Sequence, residues 1–271
     1  NDFRVFIMGI RSDLEATPAK LIHQEPPTLH QTIGNLPKIR SRVSRSEDTY
    51  SAWKKIISGI RKITRKAGKG SAGLDKKLIA EIIGNIGKFP KSDPSGKSQR
   101  YPKPFHTNHQ ALTFIQDKKL KTLNGHEARS HMASDLVRYF FAANFGKING
   151  YSPKLENFPT EILPDHQNVA DGVDGKKFSD RFRVQLKDRH ASTVTSHISQ
   201  DGHYFIHYDP IQSRSLTVRE AARIQTFPDN YKFEGPRTSQ YHQVGNAVPV
   251  FLSMQIAEIV LKVMEEAYAK S

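Results

Sequence analysis

"GKGSAG", Gly68 to Gly73, has the G-x-G-x-x-G spacing with which backbone amides can cradle a dinucleotide phosphate. That chemistry needs an apolar strand leading into the glycines, and "RKITRKA" stands there instead. A flexible basic linker accounts for these residues better. "SGKS" around Lys97 is similar to the end of a phosphate loop, but Lys91 occupies the place of its first glycine and no strand precedes it. Twelve histidines raise metal chemistry: His106 and His109 lie three apart, and His203 and His207 fall on one face of a strand. Neither pair has carboxylate or thiolate company at a fixed distance, so no metal site is expected. The chain holds no cysteine, which excludes a cysteine nucleophile, thiolate zinc and disulfides within it. What remains is "QYHQVGNAVPVF", residues 240–251: a Gly-Asn turn, a proline that presets the first helical φ, then a long amphipathic run. A helix entry can be built with less particular residues. The exposed Gly245 to Val248 end is therefore a candidate site.

The elements that must position such a site sit in a chain of 271 residues, 37% hydrophobic and 25% charged, enough for one large domain or two ordinary ones. No stretch approaches the length of a membrane helix, no signal peptide opens the chain, and no membrane partner is expected. The net charge is +14 and the pI about 9.8, which favours an anionic partner, nucleic acid first. Most of that charge is local. Lys54 to Lys103 contains fourteen Lys or Arg against three acids. Its Gly, Ser and Pro content suggests a mobile loop, and such a loop can lie along phosphates. Lys54, Lys55, Arg61, Lys62, Arg65, Lys66 and Lys69 are the candidate contacts.

"FRVFIMGIR", Phe3 to Arg11, reads as a buried strand, and Leu14 to about Ser51 as Pro-rich loop. "DTYSAWKKIISGIRKI" reads as a helix capped by Asp48 or Thr49, with Trp53, Ile56, Ile57 and Ile60 on one face. Met132, Leu136, Val137, Phe140, Phe141 and Phe145 follow helical spacing, with Gly146 as the expected stop. "RFRVQL" alternates as a strand, and "STVTSHISQ", "DG" and "HYFIHYD" predict a hairpin. Thr217 to Glu220 is a capping box opening a helix that Pro228 ends, and the last helix starts near Pro249. Arg181, Arg183 and Arg189 could contact phosphates or form the solvated face of "RFRVQL".

From Arg181 onward the chain resembles the C-terminal portion of DNA (cytosine-5) methyltransferases. "RSLTVREAARIQTFPDNYKFEG", Arg214 to Gly235, resembles the family's ninth conserved block, and "QYHQVGNAVPVFLSMQIAEIV" its tenth. "NDFRVFIMGIR" resembles the eighth, with Asp2 where its first arginine is expected. In this family a cysteine thiolate adds to a flipped cytosine, a glutamate assists at the ring nitrogen, and S-adenosylmethionine supplies the methyl group. The resemblance implies that Arg4 holds the flipped base and that glutamate. It also implies that Gly245, Asn246, Ala247 and Val248 wall the cofactor pocket, with Asn246 and the Ala247 N–H toward the methionine carboxylate. Many relatives carry Ser at Ala247. Arg219 and Glu220 would brace the recognition region.

The resemblance implies an α+β chain in four parts. Residues 1–13 form a strand of the catalytic domain, and residues 14–180 a variable target-recognition region, basic at 54–103. Residues 181–235 hold strands, hairpin and ninth-block helix. Residues 236–271 return to complete the α/β, Rossmann-like catalytic domain. The family's Pro-Cys, Phe-x-Gly-x-Gly and Glu-Asn-Val blocks are not in this sequence. The expected partners are double-stranded DNA and a second polypeptide, or an N-terminal half, carrying the cysteine. The expected setting is the bacterial cytoplasm, at the nucleoid. Phe6, Ile7 and Met8, with Phe251, Ile256, Ile259, Val260 and Val263, are the apolar faces that such a partner would cover. A self-standing DNA-binding module without catalysis is the alternative, and an interaction protein that binds no DNA a third.

Overall fold

Helices carry most of the chain in the computed structural model, which describes residues 6–14, 16–67, 74–97, 99–164 and 179–269. The first core gathers α2 (Tyr50–Ser58), α3 (Ile60–Ala67), α4 (Lys76–Gly87) and α6 (Ala133–Asn149). Thr49 opens α2 by accepting the Ala52 N–H at 3.2 Å, and Asp75 opens α4 by accepting from Lys77 at 2.8 Å. Trp53, Ile57 and Ile60 meet Leu78, Ile82, Ile86, Phe140 and Phe141 in that core. The buried Trp53 indole donates to Ser41 Oγ at 2.8 Å, so its one polar atom is satisfied.

Two expectations change here. The stretch 54–103 is not one mobile loop, because Leu78, Ile82 and Ile86 give α4 a buried face that its lysine-rich ends conceal. The Gly68 to Gly73 motif lies outside the described residues. Gly146 does not stop α6 either. It lies inside the helix, where a Cβ would sit 2.7 Å from Val184 Cγ1, and the stop is Gly150 at φ 73°.

The second core joins α1 (Leu29–Ile33) with α7 (Val218–Ile224) and α8 (Arg237–Asn246), around Leu123, Val194, Ile198, Phe205 and Leu216. A short α5 (Gln110–Ile115) and a long α9 (Val250–Ala269) lie outside these two groups of helices. Within the twenty residues of α9 only Val263 is buried.

Sheet structure is slight. β1 (Arg42–Val43) pairs in parallel with β2 (Ser130–His131), and isolated bridges join Val184 to Ile206 and Ile206 to Ser215. The expected hairpin is replaced by a single-turn helix at Ser196–Ser199, and "RFRVQL" pairs at one bridge rather than as a strand. Phe182 and Val184 are buried as the alternation predicts, but Gln185 is buried as well and Leu186 only half-buried, so the alternation holds for part of the segment. Residues 6–10 form no strand: Phe6, Ile7 and Met8 are exposed, with no described neighbour to bond their backbone. The described fold is thus mixed, mostly helical, with little sheet.

Candidate functional site

The segment 214–229 is built from buried charge. Arg214 grips Glu220 through two bonds of 2.6 and 2.7 Å, and the Glu220 carboxylate also accepts the Thr217 N–H at 2.8 Å, closing the capping box. Burial alone would raise this carboxyl, but the Arg214 guanidinium outweighs it and holds Glu220 well below the usual carboxylate range. Arg219 spends its guanidinium on the carbonyls of Asn124, Pro228 and Tyr231 at 2.9, 3.2 and 2.6 Å. Arg223 pairs with Asp229 at 2.8 and 2.7 Å, reaches Asn35 Oδ1 at 2.7 Å, and donates to the Thr32 carbonyl at 3.2 Å, which ties α1 to α7. Arg214, Arg219, Glu220 and Arg223 are all buried.

Beyond that frame lies the 245–248 turn. Gly245 and Asn246 end α8, Arg237–Asn246, a helix that the sequence pattern does not predict, rather than forming a separate Gly-Asn turn. A Cβ on Gly245 would lie 2.5 Å from Thr195, so the helix end can approach the 195–199 turn only as glycine. Asn246 is exposed, Ala247 half-buried and Val248 exposed. The Ala247 N–H closes on the Val244 carbonyl at 3.3 Å. At the start of α9 the Val250 N–H donates to the Gln225 carbonyl at 3.0 Å, and the Phe251 N–H to Thr226 Oγ1 at 2.9 Å. These helix-start amides are therefore engaged within the chain. What the turn offers an anionic ligand is chiefly the exposed Asn246 amide.

The basic candidates separate into two groups. Lys55, Arg61, Lys62, Arg65 and Lys66 are exposed on the outer side of α2 and α3, with Lys54 lying 4.5 Å over the Tyr50 ring. Arg61 with Arg65 and Lys62 with Lys66 lie four apart and share one side of α3, a basic stripe that Lys55 precedes on α2, across Gly59. Lys69 and Arg4 lie outside the described residues. Arg183 is paired with Asp180 and sits over Tyr204, and Arg181 is half-buried. Arg189 is exposed at the rim of a cleft of about 650 Å³ between the two cores, together with Lys38, Lys187 and Tyr208. Those three were not singled out from the sequence; the only signal was the closeness of Lys187 to Arg189. The structure does not bring the stripe and the three arginines together on one helix face.

Among the described residues no group of three His, Cys, Asp or Glu side chains could hold a metal ion. His109 contacts the Glu25 carbonyl, His203 the Tyr139 hydroxyl, and His207 stacks on Tyr208. A second concavity, of about 490 Å³, is apolar and lined by Phe6, Val248, Ile256, Val260, Leu261 and Met264. It borders the 245–248 turn. No single helix among the described residues is long and apolar enough to cross a membrane.

Comparison with known proteins gives this arrangement its context. Residues 3–262 match the C-5 cytosine-specific DNA methylase family. The chain belongs to that family. It is 65% identical over 139 residues to the Type II methyltransferase M.Bpa9945I of Bacillus paralicheniformis, a match covering 51% of this chain and 29% of that protein. It is 27% identical over 269 residues to M.DdeI of Desulfomicrobium norvegicum, covering 94% of this chain and 49% of that protein. A DNA (cytosine-5)-methyltransferase of Arabidopsis thaliana, CMT3, is 41% identical over 97 residues, 36% of this chain and 11% of that protein. The chain thus spans half or less of the length of these relatives. The 271 residues contain no cysteine.

Proposed function

We propose that this chain is the DNA-recognition and cofactor-wall part of a DNA (cytosine-5) methyltransferase that modifies a cytosine flipped out of double-stranded DNA. The observation that carries this reading is a family match over residues 3–262 in a chain without a cysteine. The thiolate that attacks the ring must then come from a second polypeptide or an N-terminal half. S-adenosylmethionine would supply the methyl group, and Asn246 and Val248 would form one edge of its site. Arg4 would hold the base carbonyl and the partner's glutamate together, a task that suits a planar guanidinium. The apolar groove of Phe6, Ile256, Val260, Leu261 and Met264 would seat the catalytic domain. Leu261 at 55% exposed and Met264 at 48% leave that face without cover among the described residues.

The basic stripe on α2 and α3 would neutralise phosphates, which position a duplex without reading its sequence. Replacing Lys55, Arg61, Lys62 and Arg65 together by Gln tests it. Each lost phosphate contact lowers the slope of log K against log salt by about 0.9, so four lower it by about 3 to 4. Affinity for duplex DNA near 0.1 M salt should fall by well over tenfold, in equal measure for specific and unrelated sequences. Unchanged affinity and slope would remove the stripe from the DNA interface. Binding that ignores salt in the parent chain would favour a protein-interaction role instead.

A further inference from the structure

We propose that Gln225 is a positioning residue for the 245–248 turn, holding it in the orientation that the cofactor meets; this rests on the reading of that turn as a cofactor wall. Gln225 comes directly after the last residue of α7 and is 4% exposed. Its side-chain Nε2 reaches three backbone carbonyls: Val244 at 3.1 Å, Ala247 at 3.2 Å and Val194 at 3.3 Å. Two N–H groups thus serve three acceptors, drawn from the end of α8, the turn itself and the segment before Ser196–Ser199. The Gln225 backbone carbonyl takes the Val250 N–H, and Thr226, at φ 57°, offers Oγ1 to the Phe251 N–H. A non-glycine residue in that region is held there by its surroundings, and here Thr226 Oγ1 also donates to the Gln225 carbonyl at 2.8 Å.

Two adjacent residues therefore grip both sides of the turn. The Gln225 side chain donates to Val244 and Ala247, while Gln225 and Thr226 accept from Val250 and Phe251 at the start of α9. The planar trans peptide adds a stereochemical consequence. With the Ala247 carbonyl aimed inward at Gln225, the Val248 N–H of the same peptide is aimed the opposite way. The backbone donor set toward the ligand side is then that of Val248, beside the exposed Asn246 amide, while the Ala247 N–H stays with Val244.

Gln225→Met keeps length and apolar bulk and removes the donors. In the assembled methyltransferase containing this chain, it should weaken S-adenosylhomocysteine binding about tenfold or more, with affinity for duplex DNA kept within about twofold. Without ligand, amide exchange over residues 247–251 should quicken about tenfold while α6 is unchanged. Unchanged exchange and unchanged S-adenosylhomocysteine affinity would overturn the proposal. So would equal weakening of DNA and S-adenosylhomocysteine binding with a general fall in melting temperature, which marks a residue of the fold alone. Asn246→Ala separates the underlying reading. If that change weakens S-adenosylhomocysteine and Gln225→Met does not, only the proposal falls; if Asn246→Ala has no effect, the cofactor reading falls and takes the proposal with it.

Discussion

Lowering the pH from about 7.5 to about 5 should cost this chain several kcal/mol of stability, roughly 1.4 kcal/mol per pH unit for each histidine buried neutral. Four histidines are of that kind. Burial pushes His126 down from 6.5 to about 4 and His207 to about 3, and it lowers His131 and His203 as well. Their hydrogen bonds suit neutral rings: His126 lies between Thr217 Oγ1 and the Pro37 carbonyl, and His207 Nδ1 accepts the Asp209 N–H at 3.0 Å. The unfolded chain takes up a proton at each of these side chains near pH 6.5, whereas the folded chain does not until lower pH. Stability is therefore complete above about pH 6.5 and is lost as the pH falls below it. Glu220, whose folded value is depressed, adds a further loss below its ordinary 4.5. Urea unfolding at intervals of half a pH unit reads this directly. The midpoint should hold above about pH 7 and drop steeply below 6.5; a flat profile to pH 5 would show that these rings are not buried neutral.

Asp229→Ala should destabilise the fold by about 3–5 kcal/mol, because it leaves the Arg223 guanidinium buried without its counter-ion. Both side chains are fully buried in the pair, and Tyr101 also donates to Asp229 at 2.8 Å. Burial and the Asp229 charge together push the Tyr101 hydroxyl up to about 12, so it remains a donor at any working pH. The double change Arg223→Met with Asp229→Leu should recover much of the loss, since apolar groups of similar volume replace a buried pair at little net cost. Recovery will be incomplete because Asn35 Oδ1 and the Thr32 carbonyl lose their donor. Denaturant melts of the two singles and the double decide it. A cost of under about 1 kcal/mol for Asp229→Ala would mean that water reaches the pair.

What could be read from the sequence was whatever a short local pattern encodes. The capping box at Thr217–Glu220 and the apolar periodicity of α6 needed no knowledge of the rest of the chain, and both elements are present. Helix α4 was hidden because Lys76, Lys77 and Lys88 flank it and Gly84 and Gly87 interrupt it, while its burial depends on α6. Helix α8, "RTSQYHQVGN", has little apolar face of its own; it is held by Tyr241 and Val244 against the second core. The hairpin failed for a related reason. Val194, Ile198, Phe205 and Ile206 are all buried, but into two different cores, so no continuous ladder forms between them. At the candidate site, Gly245 and Asn246 stood out by residue type. Gln225 did not, since its role depends on carbonyls of Val194, Val244 and Ala247 that only the fold brings within reach.

In the proposed division of labour this chain supplies recognition and a cofactor wall while the nucleophile arrives from elsewhere. Formation of 5-methylcytosine in duplex DNA with S-adenosylmethionine measures it, for this chain alone and for the chain joined to a half that carries the cysteine. No product is expected from the chain alone, and sequence-specific product from the two together. Methylation by the cysteine-free chain alone, or DNA binding with no gain when the second half is present, would contradict it.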